Sequence, residues 1–147
     1  MREILFRGKR ADNGEWIRGD LITTPFTGKE TQQNIIYILD ITKADYDCFE
    51  DLVEDNGIFE IAPDTVCQCT GLTDKNGRKI FEGDIVQDYP FKAVVKFGEF
   101  ESQVLKNIGF NLDWFKELSY RRDLPYWVDK IEVIGNIFDN PELLEAH

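Results

Sequence analysis

Short runs of β-branched and aromatic residues, each closed by Gly, Pro, Asn or Asp, fill most of this chain. That punctuation predicts strands. They are expected at 3–7, 15–18, 35–41, 58–61, 65–69, 85–89, 93–97 and 130–138. The stretch 23–34, polar and containing Pro25 and Gly28, predicts an exposed loop. A helical period appears over 42–56. There Tyr46, Cys48, Phe49, Leu52 and Val53 fall on one side, and Asp47, Glu50, Asp51, Glu54 and Asp55 on the other. A weaker helix is expected over 111–119. A last helical turn is expected at 140–144, with Asn140 as cap and Pro141 in first position.

The most densely patterned stretch is "TGLTDKNGRKIFEGDIV", Thr70 to Val86. Asn76-Gly77 predicts a hairpin with a primed turn, because both residues tolerate positive φ. Residues 78–81 then form the returning strand. Gly83 allows a sharp bend, and Asp84 is expected to accept a backbone N–H and pin it. A Gly-Asp-Ile-Val step of this kind also occurs at the entry of small SH3-like barrels. The lysine does not follow a second glycine at a helix start, so the stretch is no phosphate-binding loop. An echo of the pattern, Asn13-Gly14 to Leu21-Ile22, reads as a β protein reusing one hairpin device.

Composition narrows the picture. With 147 residues, 42% hydrophobic and 13% aromatic, the chain can bury a core. It fits a single domain, 1–147, with two intertwined lobes, 1–62 and 63–147, as the alternative. The net charge of −11 opposes binding to nucleic acid or to an anionic membrane. No apolar run approaches the ~20 residues that span a bilayer. The N-terminus reads as a strand rather than a signal peptide, so a cytoplasmic location is expected. Three cysteines, Cys48, Cys67 and Cys69, form no disulfide framework, and Cys67 and Cys69 would share one face of a strand. The single histidine, His147, is terminal and supports neither a metal site nor imidazole catalysis.

Two surfaces are candidates for function. Residues 40–60 hold eight acids against one base, Lys43, and so most of the net charge. The face Asp47, Glu50, Asp51, Glu54 and Asp55 reads first as a solvated helix face. Its second reading is a phosphate-like surface that docks a basic protein; its third is divalent-metal chemistry, for which the ligands of a calcium loop are missing. The second surface is Arg121, Arg122, Tyr126 and Trp127. Bases mixed with aromatics there could stack single-stranded bases or grip a peptide, but such a mixture more often fills a core beside ion-paired arginines. Trp16 and Trp114 are expected in a core or interface. Acids are plentiful, yet no pattern brings two of them to the ~5–9 Å separation of a glycosidase.

Residues 65–86, "TVCQCTGLTDKNGRKIFEGDIV", with 132–144, "EVIGNIFDNPELL", and the opening "REILFRGKR" resemble the YopX family of phage and prophage proteins. At Cys67 and Cys69 that family's pattern more often has Gly and an aromatic, so no metal role follows. The resemblance implies a mostly β fold acting inside a bacterial cell, with no assigned activity and no catalytic residue to carry over. The expectation is therefore a mainly β (α+β) protein, a small barrel or sandwich of short strands with one amphipathic acidic helix. It would use no cofactor and no metal, and its partners would be copies of itself. The alternatives are an acidic inhibitor that binds a basic host or phage protein, and a metal- or carboxylate-dependent hydrolase.

Overall fold

The computed structural model describes residues 4–25, 34–39, 57–102, 105–117 and 120–145. The fold is mostly β, with antiparallel pairing throughout these residues and no helix of seven or more among them. The chain divides into two compact units, Met1–Gln68 and Cys69–His147.

In the first unit β1 (Phe6–Lys9), β2 (Trp16–Pro25), β3 (Asn34–Leu39) and β4 (Ile58–Glu60) pair in the order β4-β3-β2-β1. The far side of β1 takes up Cys67 and Gln68. Ile38, Phe59 and Ile61 form the core, flanked by Phe6, Ile17, Leu21 and Val66. The predicted loop 23–34 is shorter than expected, because β2 runs on to Pro25 and pairs it with Asn34. A strand end tolerates proline, where its missing N–H breaks no continuing ladder. Gly19 sits where β2 and β3 press together, and a Cβ there would lie 1.8 Å from the Leu39 carbonyl oxygen. The β1–β2 loop closes on Gly14, at φ 74°, whose N–H donates to the Arg10 carbonyl.

The chain crosses into the second unit within β5 (Cys67–Thr73), where Cys67 and Cys69 are both buried. There follow β6 (Lys79–Phe81), β7 (Asp84–Asp88), β8 (Phe91–Ser102), β9 (Leu105–Trp114), α1 (Leu124–Trp127), β10 (Glu132–Asn136) and α2 (Glu142–Glu145). Four of these form a sheet in the order β10-β7-β8-β9, while β6 pairs with β5. Ile80, Val86, Ala93, Val95, Leu112, Trp114, Leu124, Ile131 and Val133 make the core.

The helix expected over 111–119 is not formed. Residues up to Trp114 belong to β9, which pairs with β8 through ten consecutive positions. Leu112 and Trp114 alternate on the core face opposite Val95 and Ala93. A period of two thus overrides the weak helical pattern. A 3-10 turn, Phe115–Glu117, follows, and Lys116 at φ 62° cannot continue a helix. The terminal turn forms as α2, with the Leu143 N–H donating to the Asn140 carbonyl. The Asn140 side chain, expected to cap it, instead accepts the Asn136 N–H.

The hairpin expected around Asn76-Gly77 is present, with a different turn. Asp74 and Arg78 close it, the Gly77 N–H returns to the Asp74 carbonyl, and only Gly77, at φ 81°, is left-handed. This is a three-residue loop ending in a left-handed glycine rather than a primed two-residue turn. Gly83, at φ 86°, makes the second bend, donating to the Val95 carbonyl and accepting from Ile137 N–H. The buried Asp84 carboxylate accepts the Phe81 N–H at 2.8 Å, which fixes that bend as anticipated.

Candidate functional site

The acidic face of Asp47, Glu50, Asp51, Glu54 and Asp55 lies outside the described residues, as does the helix expected to carry it. The second candidate lies within the second unit. The end of β9 and the segment 120–130 bring three of its four residues together.

Arg121 is the hub. Its guanidinium forks onto Asp123, Nε to Oδ1 at 2.9 Å and Nη2 to Oδ2 at 2.6 Å. Its Cζ stands 4.0 Å from the centroid of the Tyr126 ring. The hydrogen bond from Arg121 holds the Asp123 carboxyl below the usual range despite partial burial, and Asp123 raises Arg121 in turn. The Arg121 carbonyl accepts two indole N–H groups, Trp114 Nε1 at 2.9 Å and Trp127 Nε1 at 2.8 Å. Lys130 Nζ approaches Tyr126 from 4.3 Å and pairs with Asp129.

Arg122 faces elsewhere. Its Nη2 donates to Asn111 Oδ1 at 3.0 Å and lies 3.8 Å from Asp113, which also binds Lys96. Its carbonyl accepts the Leu112 N–H. Arg122 therefore clasps β9 instead of joining the aromatic group.

The aromatic group is larger than the sequence indicated. Trp114 and Trp127 meet edge to face with centroids 4.9 Å apart; Tyr126 packs on Trp127 at 5.1 Å, and Tyr120 on Trp114 at 5.5 Å. Phe91 then contacts Tyr120 at 5.2 Å. Phe91 and Lys130 escaped the motif reading because β8 and the end of the segment 120–130 supply them; Tyr120 adjoins the two arginines in sequence, and Trp114 was expected in a core or interface.

Chemically, this arrangement is a pin more than a receptor. Both indole donors are spent on one carbonyl, and both cations beside Tyr126 carry a carboxylate partner. What remains toward water is ring surface, since Phe91, Tyr120 and Tyr126 are exposed. Larger exposures occur at the β7–β8 turn, with Tyr89 at 84%, and toward the far end of the β8–β9 hairpin, with Ile108 at 73%, Leu105 at 66% and Phe97 at 56%. Among the described residues, no group of three or more His, Cys, Asp or Glu side chains is placed to hold a metal ion. None of the described helices is long and apolar enough to cross a membrane.

A family model described as YopX protein matches residues 5–145. Among solved structures, the chain is similar to protein EF1440 from Enterococcus faecalis. The two are 22% identical, the match covers 98% of this chain and 99% of that one, and the TM-score is 0.46. No curated protein matches.

Proposed function

We propose, from the premise that the chain belongs to the YopX family, that it is a non-enzymatic protein-interaction module that associates with copies of itself. The observation behind this reading is the exposure of Phe97, Leu105 and Ile108, all toward the far end of the β8–β9 hairpin. Large apolar side chains left exposed around one end of a hairpin, on both of its faces, are candidates for a contact site. The reading places the protein in the bacterial cytoplasm, encoded by a phage or prophage. Light scattering across a concentration series tests it: the mass should rise above that of one chain by high micromolar concentration. A strict monomer would refute self-association.

A second reading rests on charge. The acids of residues 40–60 make the chain a candidate inhibitor of a basic host or phage protein. Such a complex would weaken steeply with salt, whereas an apolar contact would not. Replacing Glu50, Asp51 and Glu54 by Gln, Asn and Gln should abolish that binding if the charge carries it.

A further inference from the structure

β9 is the end strand of its sheet. Toward its C-terminus the outer side is occupied, because the Leu112 N–H donates to the Arg122 carbonyl and Asn111 bridges Asp123. In an extended strand the N–H and C=O of alternate residues point to the same side. Ile108 and Lys106 therefore direct their backbone groups to the same outer side as Leu112. Among the described residues, no strand pairs with that side of residues 105–109.

We infer that this edge pairs antiparallel with the same edge of a second copy, about a two-fold axis through Asn107. The inference rests on the self-association proposed above and names its surface. A row of unpaired backbone donors and acceptors selects another strand as its occupant. The devices that usually discourage such pairing are weak here. β8 and β9 run through ten paired positions with no bulge, and residues 105–110 contain no proline.

Charge indicates why the occupant is a second copy. Two chains of net charge −11 repel, and no acid stands between Glu101 and Asp113. Lys106 is the single charge in that interval. The two-fold register sets Lys106 opposite Ile108 of the second copy and keeps the two lysines on opposite sides of the axis. It also sets Leu105 opposite Gly109, where a Cβ would meet nothing within 4 Å. A bare position thus faces a side chain that is 66% exposed. On the other face Ile108 continues the line of Leu112 beyond the buried core, and pairing would bring the Lys106 stem of the second copy beside it.

The test combines cross-linking with edge blocking. Asn107→Cys, made in a Cys48→Ser background, places two thiols across the axis in a non-hydrogen-bonded pair, whose Cβ atoms lie about 4.5–5.5 Å apart. It should oxidise to a covalent dimer at least about tenfold faster than the exposed Lys116→Cys control, a margin of roughly 1.4 kcal/mol. Ile108→Pro removes an outward N–H, which an edge strand tolerates, and should lower the scattering mass to that of one chain. Ile108→Lys, altering an exposed side chain, should do the same should the proline variant fail to fold. A wild type that stays monomeric at high micromolar concentration overturns self-association and this inference with it. A wild type that associates, with unchanged mass in both Ile108 variants and no cross-linking advantage at residue 107, overturns the edge pairing alone.

Discussion

Replacing Asp74 tests how the second unit is held together. Its carboxylate is buried and accepts three backbone N–H groups: Asn76 and Arg78 on Oδ1, both at 2.9 Å, and Val133 on Oδ2 at 2.8 Å. Two of those donors belong to the turn it sits in. The third lies on β10, so one side chain ties the hairpin to a strand 59 residues away. In Asp74→Ala the Asn76 and Arg78 donors can turn to water at the exposed turn. Val133 is buried, so its N–H would be left without an acceptor, at a cost of roughly 1–3 kcal/mol, and the loss of charge-assisted bonds adds roughly 1.5–3 kcal/mol. A total near 3–4 kcal/mol is expected, or a fall in Tm of about 6–12 °C at this chain length. Urea denaturation followed by tryptophan fluorescence would read it, since Trp114 and Trp127 sit in the same unit. The pH dependence has a definite sign. Burial pushes the carboxyl up, but the three N–H bonds and the Arg78 charge pull it down, and the balance lies below the ordinary value. A depressed folded pKa gives stability that is present above the unfolded pKa of about 3.9 and lost as pH falls through the folded one. The gap between wild type and Asp74→Asn should therefore hold from pH 7 to about pH 5 and narrow below pH 4. An unchanged midpoint in Asp74→Ala at pH 7, or a gap that stays constant down to pH 3, would refute this account.

Gly77→Val should cost about 1–2 kcal/mol, entirely through the backbone, because φ is 81° and a Cβ would find open space; Gly77→Asn should be nearly neutral in the same denaturation assay. Gly19→Ala should cost more, about 3 kcal/mol, because its Cβ would collide with the Leu39 carbonyl and push β2 from β3. Trp127→Phe should cost about 1 kcal/mol, since the Arg121 carbonyl keeps its bond from Trp114, whereas Trp114→Phe should cost about 2 kcal/mol because that ring is buried as well as bonded. Thermal unfolding of both variants orders them, and a reversed order would contradict the assignment of Trp114 to the core.

Legibility followed the range of the interactions. The turn at 74–77 and the Phe81–Asp84 bond at the second bend could be read because they close within a few residues. The Asn76 N–H bond to the Asp74 side chain is a local pattern of the same kind. The link from Asp74 to Val133 could not be read, since nothing near either residue encodes the other. The helix expected over 111–119 failed for a related reason: Asn111-Leu112-Asp113-Trp114 is compatible with either period, and β8 decides between them. The surface candidate was legible in part. Adjacency in sequence suggested Arg121, Arg122, Tyr126 and Trp127 together, whereas Arg122 turns away from the other three toward Asn111 and Asp113.

The two Asn-Gly hairpins show why the patterned stretches say little about partners. After Gly14 the first runs straight through Gly19-Asp20 as a continuous strand; after Gly77 the second breaks at Gly83-Asp84 into two. In the first, glycine is required by the close approach of Leu39; in the second, by positive φ. The same letters thus serve two backbone problems. Within the stretch that carries the family resemblance, Thr70, Asp74, Ile80, Phe81, Asp84, Ile85 and Val86 are all buried. Thr70 is spent internally, donating to the Ile80 carbonyl and accepting the Leu72 N–H, much as Asp74 and Asp84 are. A side chain sequestered in this way cannot meet a partner unless the unit opens. Exposed apolar positions lie instead at Phe97, Leu105 and Ile108, where the hairpin extends past its own core.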